Sequence, residues 1–188
     1  MRLTYTADQR FWLHVPTEFP DEEFATIALW ESAAIERYTE SRPTADAAEL
    51  AVVRGMIRDM QGSLTPGVDV FGLAFWPFPG PVAAFVRVDV GPPLHPGQDP
   101  IEVLLERLPL AAEPSFDEFA VPAVGDGLAC RFIADGSFAS GEPIAGMAVL
   151  ATGPAGSVRL RSDPLPTAMV GLIDRPLREL VPTLAFGD

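Results

Sequence analysis

The side chains in this chain that could do covalent or acid–base chemistry are few: His14 and His95, Cys130, the serines of Gly136-Ser137-Phe138-Ala139-Ser140-Gly141, and the acidic runs Asp21-Glu22-Glu23 and Asp117-Glu118. A serine on a strand-to-helix elbow needs the spacing Gly-x-Ser-x-Gly. The hexad at 136–141 misses it, with each serine one position off, and reads as a loop between strands. Cys130 lies between Ala129 and Arg131 in a β-like run. Such a thiol reads as a small buried residue, because a reactive thiolate needs an accessible electropositive setting. His14 and His95 are far apart in sequence, and neither His-x-x-x-His nor Cys-x-x-Cys spacing occurs, so the pattern predicts no metal site. Adjacent carboxylates work as acid and base only when burial raises one of them. Here they read as a helix start (21–23) and a strand edge (117–118). Gly125-Asp126-Gly127 lacks the third glycine of a dinucleotide loop and reads as a hairpin turn.

Composition closes further classes. There is no lysine and no asparagine. Schiff-base and pyridoxal enzymes, phosphate loops and protein kinases need an amine this chain lacks. The 13 arginines stand against 26 acids, for a net charge of −13 and a pI near 4.4. Because the arginines are dispersed, the charge predicts neither nucleic-acid binding nor attachment to an anionic membrane. A single cysteine forms no internal disulfide and fits a reducing, cytoplasmic setting. The first fifteen residues lack the continuous apolar core of a signal peptide. The uncharged stretch 70–86 is broken by Gly72, Pro77, Pro79, Gly80 and Pro81 and reads as two strands and a turn, not a membrane span.

The elements that must position these groups follow from periodicity. Alternation over 10–15 gives a first strand ended by Pro16. Helical spacing then runs from the acids at 21–23 to about Tyr38, and again from a cap at Thr44 or Asp46 to a stop at Gly62. Strands at 68–75 and 82–90 flank a proline-aromatic turn. Asp99-Pro100 opens a short helix ending before Pro109. Four strands follow, at 116–121, 128–134, 144–152 and 157–161, joined by short glycine turns that imply antiparallel pairing. A last helix over 167–184 is interrupted or bent by Pro176. At 188 residues and 48% hydrophobic content the expectation is one α+β domain over 1–188, a single antiparallel sheet flanked by helices.

The opening Phe11-Trp12-Leu13-His14-Val15-Pro16, a first strand closed by proline, and the closing order of four strands and a helix resemble the PsbP-like fold. That resemblance implies a helix-flanked antiparallel sheet and a binding or assembly role of the kind seen in small bacterial proteins. It carries no functional motif and no cofactor.

One segment exceeds what a turn needs: Phe75-Trp76-Pro77-Phe78-Pro79-Gly80. Rigid aromatics held by proline carry interface energy, so Phe75, Trp76 and Phe78 are the candidate partner-binding residues. The alternative is that the rings fold back as a lid over one end of the sheet. The functional expectation is a non-enzymatic cytoplasmic binding or accessory protein of immunity, chaperone or secretion-accessory type, directed at a basic partner. The competing expectation is a small-ligand binder or enzyme with a pocket between sheet and helices, using His14, His95 and arginines such as Arg87 and Arg131.

Overall fold

The structure is a computed structural model that describes residues 2–77, 80, 82–106 and 108–187. It is an α+β fold. Seven mostly antiparallel strands form the main sheet, and a separate two-stranded ribbon joins β1 (Arg2–Thr4) to β9 (Ala185–Gly187). The remaining strands are β2 (Trp12–Pro16), β3 (Asp69–Phe75), β4 (Ala84–Gly91), β5 (Ser115–Val121), β6 (Gly125–Ser137), β7 (Pro143–Gly153) and β8 (Gly156–Ser162). Their order in the sheet is β2-β3-β4-β8-β7-β6-β5. The helices are α1 (Ile27–Ser41), α2 (Ala47–Gly62), α3 (Pro100–Leu105) and α4 (Thr167–Leu180).

The chain divides into two compact units, residues 8–87 and residues 1–7 with 88–188. In the first, α1 and α2 bury Trp30, Ala34, Tyr38, Val53, Ile57 and Met60 against Val15, Ala74 and Phe85. Glu31 of α1 accepts from Arg58 of α2 at 2.8 Å and ties the two helices. The acids at 21–23 do not open α1. Asp21 turns its carboxylate onto the N–H groups of Glu23 and Phe24, a local bond that competes with helix, and Thr26 caps the helix instead. The buried face of α1 is accordingly Trp30, Glu31, Ala34 and Tyr38, while Ile27 is exposed. Helix α2 begins as its sequence predicts, with Asp46 accepting from Glu49 N–H at 2.9 Å.

Strand β2 ends the sheet, and two of its outward carbonyls are covered. Trp76 N–H donates to Phe11 O, so alternation places the carbonyls of Trp12 and His14 on the side away from β3. Both receive donors from α1: the Trp30 indole N–H reaches His14 O at 2.9 Å, and Arg37 reaches Trp12 O at 2.8 Å. Pro16, in the next outward position, has no N–H to offer.

In the second unit the sheet is covered on both faces. Leu104 of α3 packs on Cys130, Phe132, Ala148 and Leu150. Alternate residues of β6 point to the opposite face, where Arg131 meets Asp174 of α4, and α4 buries Val170, Ile173, Leu177 and Leu180. Burial from both sides explains why β7 is apolar almost throughout, with Ala145 and residues 147–151 buried. Two glycines allow rings to lie flat on this sheet. A Cβ on Gly146 would stand 2.4 Å from the Phe132 ring and one on Gly127 2.7 Å from Phe119, each directly across the ladder.

Several local expectations change. Gly125-Asp126-Gly127 is not the hairpin turn: the three residues open β6, paired with Val121, Ala120 and Phe119, and the turn is Pro122-Ala123-Val124. Helix α3 stops at Leu105, not Leu108, because Glu106 takes a left-handed φ of 43° and turns its carboxylate toward Arg159 and Arg161. The C-terminal helix runs through Pro176 but ends at Leu180. A single 3-10 turn and β9 follow where the helix was expected to continue, and β9 gains its ladder from β1 at the other end of the chain.

Candidate functional site

The aromatic segment chosen from sequence lies at the end of β3. Phe75 is 3% exposed and Trp76 6%. Phe75 packs its ring against Trp12 at 5.1 Å, its direct partner across the ladder. Trp76 stacks on Tyr38 at 5.2 Å and donates its indole N–H to Gly80 O at 2.6 Å. Both rings therefore belong to the core of their unit, and neither offers a face for docking. The reason is that α1 supplies, in Tyr38, an aromatic plane at the point where the turn begins. Phe78 lies outside the described residues.

The two histidines occupy different surroundings. His95 is exposed in the loop before α3, its backbone N–H donating to Gln98 Oε1 at 3.2 Å. His14 is half-buried on β2, its ring 5.2 Å from Phe71 and its Nε2 3.8 Å from the Asp21 carboxylate. Burial pushes its pKa down, and Asp21, Glu23 and Glu22 pull against that without reversing it, so the neutral imidazole is favoured. Beside it is a hollow of about 220 Å³ whose lining includes Thr17, Glu18, Asp21 and Asp69. Asp69 is already held by Thr65 N–H at 2.6 Å and faces Arg87 at 3.9 Å.

The arginines named from sequence are engaged in structural pairs. Arg87 donates to the Ser63 carbonyl, and Arg131 bridges Asp117 and Asp174 at 3.4 Å each. Sequence reasoning did not find a half-buried charge network in which Arg159 links Asp89 at 2.9 Å to Glu106 while Arg161 holds the other Glu106 oxygen at 2.9 Å. Burial raises the Asp89 pKa. At Glu106 burial also acts upward, but Arg159 and Arg161 outweigh it and hold the carboxyl below its usual range. Two carboxylates driven apart in this way form the pattern of an acid–base pair. Here the Arg159 guanidinium fills the space between them, where a substrate atom would have to sit. An open hollow of about 900 Å³ runs along α3, with apolar Ile101, Leu105 and Leu108 and acidic Glu102 in its lining.

Cys130 is buried and its thiol is pushed up to about 11 by desolvation, the setting of an inert structural cysteine. Among the described residues no cluster of three or more His, Cys, Asp or Glu side chains has metal-binding geometry, and no helix is long and apolar enough to cross a membrane. Comparison with family models, with curated proteins and with solved structures returns no match.

Proposed function

We propose that this chain is a non-enzymatic cytoplasmic binding or accessory protein that recognises a basic protein partner through its negative exterior. The observation that carries the reading is how its cations are used. Arg10, Arg42, Arg58, Arg87, Arg131, Arg159, Arg161, Arg175 and Arg178 all sit in ion pairs with acids of the same chain. Acids outnumber arginines two to one in each compact unit, so neutralising the arginines leaves a negative excess in both. Among the exposed acids are Glu18, Glu23, Glu36, Glu40, Asp59, Glu102, Glu113, Glu118 and Asp126. Such a field raises encounter rates with a cationic surface and repels nucleic acid and anionic lipid. An α+β fold with a mostly antiparallel sheet is compatible with an immunity, chaperone or secretion-accessory role of this kind.

The test is recovery of the partner from a lysate of the source organism, followed by association kinetics with that purified partner as salt is raised from low to physiological strength. A basic partner whose association slows with salt is expected. A partner that is acidic, or indifferent to salt, overturns the reading, as does turnover of a metabolite that disappears in His14→Ala.

A further inference from the structure

The two ends of the main sheet are treated differently, and among the described residues β5 is the end left open. Its pairing fixes which of its backbone groups point outward. Ala111 N–H donates to Ile133 O, while Ala145, across from Ile133 on β7, exchanges both of its bonds with Leu165. Ile133 therefore faces the β5 side. By alternation Arg131, Ala129 and Gly127 do the same, and their partners Ser115, Asp117 and Phe119 face inward. Phe116, Glu118 and Ala120 then carry the outward N–H and C=O groups. Among the described residues no hydrogen bond reaches those groups, whereas on β2 the outward carbonyls of Trp12 and His14 are closed by Arg37 and Trp30.

Charge selects what an open edge accepts. Glu118 and Ala120 are exposed, and the exposed acids Glu113 and Asp126 stand near either end of β5, Asp126 directly across from Ala120. A second copy of the chain, paired antiparallel in the fully overlapping register, would set Glu118 opposite Glu118, and like charges directly opposed destabilise a ladder. A strand with a cation at that position gains the same backbone bonds with an attractive pair. We propose that the β5 edge is the docking site, taking an extended basic segment of the partner as an added strand. This rests on the basic-partner reading above and deepens it by giving the surface and the mode of recognition.

The experiment uses the full chain with three synthetic heptapeptide probes: alternating arginine and valine, alternating glutamate and valine, and the arginine peptide interrupted by a central proline. Amide exchange is followed residue by residue by NMR at low salt. The arginine–valine probe is expected to slow exchange at Phe116, Glu118 and Ala120 by about tenfold or more, and the other two to leave it unchanged. Glu118→Pro removes an outward donor without removing a ladder bond, and it should weaken binding by about tenfold with little change in melting temperature. Glu118→Arg should weaken it to a similar degree, and it decides the question by itself if the proline variant folds poorly. Binding of the arginine probe with those three amides unprotected, or with both variants as tight as the parent, would overturn the docking edge while leaving the basic-partner reading standing. No binding of any cationic probe at low salt would remove both. Equal binding of the glutamate probe, or a concentration-dependent dimer abolished by Glu118→Pro, would give the edge a different occupant and also overturn the proposal.

Discussion

Strands β2 and β5 both end the same sheet, yet among the described residues side chains of the protein close carbonyls on β2 alone. Along β2 an indole and a guanidinium from α1 meet two outward carbonyls, and proline removes a donor from the next outward position. Along β5 the device found among the described residues is charge, in Asp117 and Glu118. Asp117 is drawn sideways to Arg178 at 2.6 Å, which leaves Glu118 as the exposed acid of the pair. Covering an edge blocks every incoming strand, whereas charging it blocks some and admits others. The contrast teaches that an acidic edge can serve at once against self-association and for a cationic partner.

The comparison can be broken most severely at Trp30, which is fully buried and also closes β2. Trp30→Ala should cost about 3–5 kcal/mol of stability, and Trp30→Phe only about 1–2, because the second keeps most of the volume and loses chiefly the bond to His14 O. Chemical denaturation measures both, and a Trp30→Phe variant as stable as the parent would mean that the indole N–H does nothing for the edge. Trp76→Ala should also destabilise strongly, by about 3 kcal/mol, since the ring is stacked on Tyr38 inside the core. An unchanged melting temperature would return that ring to the surface.

Arg37 tests closure with less disturbance. Its NH2 nitrogen is buried with no partner among the described residues, and burial pushes its pKa down. Replacing it with Met removes one bond and one poorly solvated charge together, so stability should change by only about 1 kcal/mol. The edge, however, loses a cover, and faster aggregation of Arg37→Met at high concentration, read by light scattering, is the expected outcome. Acid sharpens the comparison further. His14 has its folded pKa below the unfolded value, so the unfolded chain binds the proton more readily, and its contribution to stability is intact above about pH 6.5 and lost as pH falls below that. His14→Gln should therefore show a shallower fall in melting temperature between neutral and mildly acidic pH. The smallest effect belongs to β5: Glu118→Gln, on the exposed edge, should stay within about 0.5 kcal/mol of the parent in stability.

Legibility in the sequence followed the range of the interactions. Asp46 and Asp99 were readable as caps because the groups they bind lie two or three residues on. The glycine turn between β7 and β8 was readable for the same reason, whereas Gly125-Asp126-Gly127 reads as the β5–β6 turn and is instead the start of β6, the turn being Pro122-Ala123-Val124. The acids at 21–23 misled because a carboxylate serves an isolated turn as well as a helix start, and only the packing of Trp30 decides which turn of α1 comes first. The aromatic segment at 75–78 was visible as unusual, but its direction was not, since the plane that receives Trp76 is carried 38 residues earlier by Tyr38. The Asp89–Arg159–Glu106 network joins residues up to 70 apart and left no local signature.

By itself the sequence determined the class of fold, the order of its main helices and strands, and the excess of negative charge, because periodicity, caps and composition act over a few residues or over none. Tertiary structure alone decided which edge of the sheet is closed, which aromatics are core and where the two ends of the chain pair. Those outcomes depend on groups brought together from distant positions, and no spacing rule reports that meeting.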